Sequence, residues 1–88
     1  MKAIISNYAE ENKIIIENIF VPVGLRGKGL AREAMIEFLG KNKGVAVELH
    51  AYPQEDGIDV FRLVEFYESL GFEVVCGSES VGFEMVKN

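Results

Sequence analysis

The stretch "VGLRGKGLARE", Val23 to Glu33, crowds glycines and cations into a turn that then becomes a helix. Arg26, Gly27, Lys28 and Gly29 stand where an apolar strand ends and an amphipathic pattern begins. Residue types in that order suit the binding of an anion. The first amides of a helix lack intrahelical partners and carry partial positive charge. Aimed at a phosphate, they hold it without any side chain. Glycine lets the main chain approach closely and adopt positive φ, while Arg26 and Lys28 add charge and donors. Two familiar cradles fail here. A dinucleotide fingerprint beginning at Gly27 would place Arg32 where close helix–strand packing needs a small residue. A nucleoside-triphosphate loop from Gly24 to Gly29 would need Lys and Ser or Thr where Leu30 and Ala31 stand. The plain alternative is a strand–helix turn with exposed cations.

Other chemistry-bearing residues are few. Cys76 is the single cysteine, which excludes an intrachain disulfide and a multi-cysteine zinc site. In the run "FEVVC" it reads as a buried apolar residue. His50, the single histidine, lies in the alternating stretch "VAVELHAY" and reads as strand packing rather than catalysis, so no metal site is expected. Net charge is −5, which disfavours nucleic acid as a partner. Against that acidic background Arg26, Lys28 and Arg32 form a local basic turn suited to a small anionic ligand. The acidic remainder suits a basic acceptor such as an amine.

The elements that must position these residues follow from periodicity. The 88 residues suffice for one small domain, 1–88. "KAIIS" reads as a strand followed by a turn over "NYAEEN", and "KIIIENIFV" as a β-branched strand. Leu30, Ala31, Ala34, Met35, Phe38 and Leu39 recur at helical spacing, with Gly40 and Gly44 offering the stop. "VAVELHAY" alternates with Val45, Val47, Leu49 and Ala51 on one face. Asp59 is placed to cap a second helix whose apolar face is Val60, Leu63, Val64, Tyr67 and Leu70, and Gly71 ends it. "FEVVC" and "GFEMVK" then form a hairpin. The expected fold is α/β (α+β), a single mixed sheet with two helices in the order β-β-α-β-α-β-β. Its strand–helix–strand unit should be a right-handed crossover between parallel strands. No apolar run is long enough to cross a bilayer, and the N-terminal stretch is too short for a secretion signal, so a cytoplasmic protein without membrane contact is expected.

"VPVGLRGKGLA" resembles the coenzyme-A-binding motif of the GCN5-related N-acetyltransferases (GNAT), [Q/R]-x-x-G-x-[G/A], with Arg26, Gly29 and Ala31 at the three defined positions. "FYESLGFEVV", Phe66 to Val75, is similar to the family's F-Y-x-x-x-G-F helix ending, and "GFEMVK" to its final strand. The resemblance implies a truncated acyl-CoA N-acyltransferase fold with acetyl-CoA as cosubstrate. It implies that the strand before the loop and the strand after the first helix splay apart. Main-chain groups near Val21 and Val23 would pair with the pantetheine arm. The amides from Arg26 through Gly27, Lys28, Gly29, Leu30 and Ala31 would hold the pyrophosphate. Tyr67 matches the tyrosine that protonates the departing thiolate, its plain alternative being a core aromatic. No residue matches a base motif; Glu17 is the leading candidate, because a charge within so apolar a strand asks for a reason. Glu48, Glu55 and Asp56 come after it.

Two departures accompany the resemblance. Only about a dozen residues precede the Ile14 strand, whereas family members place a strand and two acceptor-shaping helices there. Members also often carry N-x-x-A-x-x-x-Y, and Val60 and Leu63 stand at its first two defined positions here. Two functions follow: an N-acetyltransferase acting on a primary amine of a protein, peptide or small molecule, or a non-catalytic relative that binds coenzyme A or a protein partner. A homodimer is a further expectation, since an incomplete sheet exposes an edge.

Overall fold

The computed structural model describes residues 4–20, 29–52 and 59–88. Its elements are β1 (Ile4–Glu10), β2 (Lys13–Phe20), α1 (Leu30–Lys41), β3 (Ala46–Ala51), α2 (Val60–Glu68), β4 (Glu73–Ser78) and β5 (Gly82–Lys87). They form one five-stranded sheet in the order β1-β2-β3-β5-β4. Strands β2 and β3, joined through α1, are parallel; the other neighbouring pairs are antiparallel. The element order and mixed sheet expected from periodicity are those observed.

Alternation along β3 decides where the core lies. Val47, Leu49 and Ala51 are buried, whereas Ala46 and Glu48 are half-buried and His50 is exposed. Met35 of α1 and Val64 of α2 enter one cluster with Ile16, Val47, Leu49, Phe72 and Met85. Both helices therefore cover the same face of the sheet, as successive right-handed crossovers in one direction require. The opposite face carries no helix among the described residues. Asp59 caps α2 as expected, its carboxylate accepting from the Phe61 amide at 2.9 Å.

Three expectations need correction. Strand β1 runs on through "NYAE" to Glu10, and the turn is confined to Glu11 and Asn12, the latter at φ 62°. Asn7–Glu10 are exposed yet paired with Lys13–Ile16, so no apolar alternation announced them. Helix α1 passes through Gly40 to Lys41, and Asn42 ends it by donating its side-chain amide to the Phe38 carbonyl at 2.8 Å. Cys76 is exposed rather than buried. Strand β4 is an edge strand whose residues are all exposed, and its register shifts between Val74, opposite Met85, and Cys76, opposite Glu84. Val75 is thus an extra residue, and the bulge turns Cys76 onto the helix-free face.

Candidate functional site

The parallel pairing of β2 with β3 covers only Lys13–Ile16 against Ala46–Leu49. Beyond those positions β2 continues to Phe20 and β3 to Ala51 without pairing to each other. The two strands separate at the point where β2 changes register against β1. Ser6 lies opposite Asn18 while Asn7 lies opposite Ile16, so Glu17 is the extra residue of a bulge. A bulge bends its strand and increases local twist, a physical cause for the separation. The splayed arrangement implied by the family resemblance is therefore present.

Helix α1 connects the two strands that separate. Its N-cap, Gly29, is left-handed at φ 75°, makes no side-chain cap and, among the described residues, has nothing within 4 Å of where a Cβ would stand. The Glu33 amide reaches the Gly29 carbonyl at 3.0 Å, which closes the first turn. The earlier amides, from Leu30 to Arg32, receive no capping side chain from Gly29. An anion fits such a helix start. Val21, Val23, Arg26, Gly27 and Lys28, named for the same cradle, lie outside the described residues. Of the three cations in that basic turn, Arg32 is engaged elsewhere. Its Nη2 donates to Ser69 Oγ at 2.7 Å, and its guanidinium lies 5.4 Å from the Phe66 ring centroid. Arg32 thus ties the first turn of α1 to the last turn of α2, a positioning role that charge counting alone did not suggest. Its i+3-like spacing from Gly29 could have hinted at it, by placing the side chain on the helix flank.

The "FYESLGF" segment proves to be a helix stop that aims two aromatics. The Tyr67 carbonyl accepts the amides of Leu70 at 3.0 Å and Phe72 at 3.2 Å. Gly71 supports this turn at φ 100°, where a side chain is strained. Phe72, 2% exposed, returns into the core and meets the Tyr67 ring edge-on at 5.9 Å; Phe66 meets it at 5.3 Å. Burial raises the Tyr67 phenol pKa above its ordinary value, so the hydroxyl is held protonated.

Glu17, the candidate base, is exposed and accepts from Ser6 Oγ at 3.4 Å, on the helix-free face. Tyr67 packs from the helical face. The two candidates stand on opposite faces of the sheet rather than side by side. Glu48 is tied to Lys13 by a 2.7 Å salt bridge, which also raises the lysine pKa. Glu55 and Asp56 lie outside the described residues.

His50 is neither buried packing nor a free base. It lies directly across from Glu84 in the ladder. Nδ1 is 2.8 Å from Glu84 Oε1 and Nε2 is 2.7 Å from the Val81 carbonyl oxygen. Both partners accept, so only the imidazolium donates to both, and the carboxylate's hydrogen bond raises the His50 pKa against a smaller opposing effect of burial. Gly82 leaves room for the ring: a Cβ there would stand 2.7 Å from Nε2. No group of His, Cys, Asp and Glu side chains among the described residues is arranged to hold a metal ion. No described helix is long and apolar enough to cross a membrane.

This split mixed sheet with its two helices defines the class: the chain has the acyl-CoA N-acyltransferase fold of the GNAT acetyltransferases. Among solved structures it is similar to the anti-CRISPR protein AcrVA5, with a TM-score of 0.74 and 27% identity over 99% of this chain and 90% of that one. It is also similar to the PaiA N-acetyltransferase from Thermoplasma acidophilum in complex with coenzyme A. There the TM-score is 0.73 and the identity 20%, covering 99% of this chain and 53% of that one. An N-acetyltransferase from Staphylococcus aureus Mu50 aligns at TM-score 0.64 and 20% identity, with 90% and 41% covered. The chain spans about half or less of the two N-acetyltransferases but nearly all of AcrVA5. No family model and no curated protein matches the sequence.

Proposed function

We propose that the protein is an N-acetyltransferase that moves an acetyl group from acetyl-CoA to a primary amine. The observation that carries this reading is how the split and the helix start are joined. Helix α1 connects the two strands that separate, its N-cap is an αL glycine that offers no side-chain cap, and Arg32 joins its first turn to the turn bearing Tyr67. Bound acetyl-CoA supplies the activated thioester. The amides of Gly29, Leu30 and Ala31, with Arg26, Gly27 and Lys28, hold its pyrophosphate, and main-chain groups near Val21 and Val23 hold the arm.

The remaining chemistry belongs to this chain. The amine nitrogen attacks the thioester carbonyl, the carbon–sulfur bond breaks, and the phenolic proton of Tyr67 neutralises the departing thiolate. Its raised pKa suits an acid that must stay protonated at neutral pH. Glu17, on the far face of the split, takes the proton that the amine loses.

A thermal shift with acetyl-CoA, paired with thiol release in the presence of an amine panel, tests the reading. At about 100 times the dissociation constant the ligand should stabilise the fold by roughly 2.7 kcal/mol. Gly29→Glu should abolish that shift, because it strains a left-handed position and sets a negative charge at the phosphates. Tyr67→Phe should keep the shift and lower kcat by about 100-fold. A Gly29→Glu protein that responds like the parent refutes the cradle. Binding without thiol release from any amine would favour a non-catalytic, coenzyme-A-binding protein.

A further inference from the structure

The ladder registers sort the paired strand residues by face, and the contact with Ser6 sorts Glu17. On the helix-free face each strand contributes one glutamate: Glu10 from β1, Glu17 from β2, Glu48 from β3, Glu73 from β4 and Glu84 from β5. The described cations there are Lys13 and His50, each already held by a carboxylate, Glu48 and Glu84 respectively. The helices on the other face are nearly balanced, with Arg32, Lys41 and Arg62 against Glu33, Glu37, Glu65 and Glu68. Among the described residues the acidity is therefore concentrated on the side that no described helix covers. Tyr8 and Tyr52, 46% and 43% exposed, stand among these acids, and Ile4 at 64% extends the apolar part. The face leads to the β2–β3 split, where Glu17 and His50 sit.

We propose that this face docks a lysine- and arginine-rich polypeptide segment and delivers one of its lysines to the split. Charge complementarity selects the occupant. Carboxylates spaced across five strands match an extended basic chain, and exposed tyrosines accept its cations over their rings and its aliphatic stems along their edges. Nucleic acid would meet like charge. A second copy docking through the same face would set acid against acid across a two-fold. The delivery step rests on the acetyltransferase reading above; the docking step does not.

Fluorescence anisotropy with a short labelled peptide of lysine, arginine and glycine tests docking without any turnover. Two variants of equal charge change are compared: Glu10→Lys with Glu73→Lys on the open face, and Glu65→Lys with Glu68→Lys on α2. The open-face pair should weaken the peptide by about tenfold and the α2 pair by less than about threefold, with both effects shrinking as salt rises. Unchanged thermal midpoints confirm that the variants fold. Under turnover, kcat/KM for the peptide should fall with its affinity in the open-face variant, while the acetyl-CoA thermal shift stays that of the parent. Equal weakening by both pairs would mean that net charge alone acts, and would overturn the proposal. So would absence of peptide binding, or a preference for an oligonucleotide. Face-dependent binding with no acetylation would support the docking surface and refute the transfer reading instead.

Discussion

The two faces of the sheet are built from alternate residues of the same strands yet do different work. On the helical face Val47, Leu49 and Met85 are at most 3% exposed, and each contributes about 1.5–3 kcal/mol of burial. On the other face Glu48, His50 and Glu84 make ion pairs that are worth about 0–1 kcal/mol each in solvent. Cohesion is thus concentrated on one side, and the second side is free to carry charge and aromatic rings for recognition. A period of two lets one short strand serve both ends without compromise.

The largest expected effect breaks that comparison if it fails. Met85→Ala removes a side chain that is 0% exposed and leaves a cavity between β5 and the helices. Stability should fall by about 2–5 kcal/mol. For a domain of this size each kcal/mol lowers the melting temperature by about 4–8 °C. Tyr8→Ser on the open face should cost no more than about 0.5 kcal/mol in the same denaturant titration. Comparable losses would mean that the open face is part of the core.

The same division explains what was legible in the sequence. Elements with one apolar face could be read: Val47, Leu49 and Ala51 gave β3 its side, and Val60 and Val64 gave α2 its stripe below the Asp59 cap. Residues without such a face could not. Asn7–Glu10 pair in the ladder without an apolar alternation, and Cys76 is exposed because a bulge at Val75 breaks the alternation on an edge strand. The site divides in the same way. Among the candidate residues, Gly29 and Tyr67 stand in motifs whose local geometry the structure shows, an αL helix start and a helix stop. The Glu17 bulge and the Arg32 bridge depend on partners 11 and 37 residues away, Ser6 and Ser69, which no local spacing encodes.

The Arg32 bridge sharpens the comparison at intermediate magnitude, because it links two helices on the helical face through a polar contact. Arg32→Ala loses the hydrogen bond to Ser69 and the contact over Phe66, for about 1 kcal/mol in all. Arg32→Lys should not restore it, since an ammonium lacks the planar fork that stacks on a ring while donating sideways. If the bridge positions the α1 start, acetyl-CoA affinity should fall in both variants while kcat changes little. Wild-type affinity with lowered stability would reduce Arg32 to a packing role.

The smallest effect belongs to the open face and is visible only through pH. His50 donates to Glu84 and to the Val81 carbonyl together only as an imidazolium, and its folded-state pKa is raised accordingly. A group bound more tightly to its proton in the folded state stabilises fully below its unfolded value, about 6.5, and loses that contribution as pH rises through the folded value. Protein stability should therefore decline on the alkaline side of that window. The ring is half exposed, so solvent screening keeps the change below about 1 kcal/mol. His50→Gln, which cannot take up a proton, should flatten this part of the stability–pH curve while leaving Met85 and the buried face untouched. Chemical denaturation of both proteins across the window checks it. Parallel curves would show that Glu84 and Val81 hold a neutral ring, and that the cross-strand pair adds nothing to the charge of the open face.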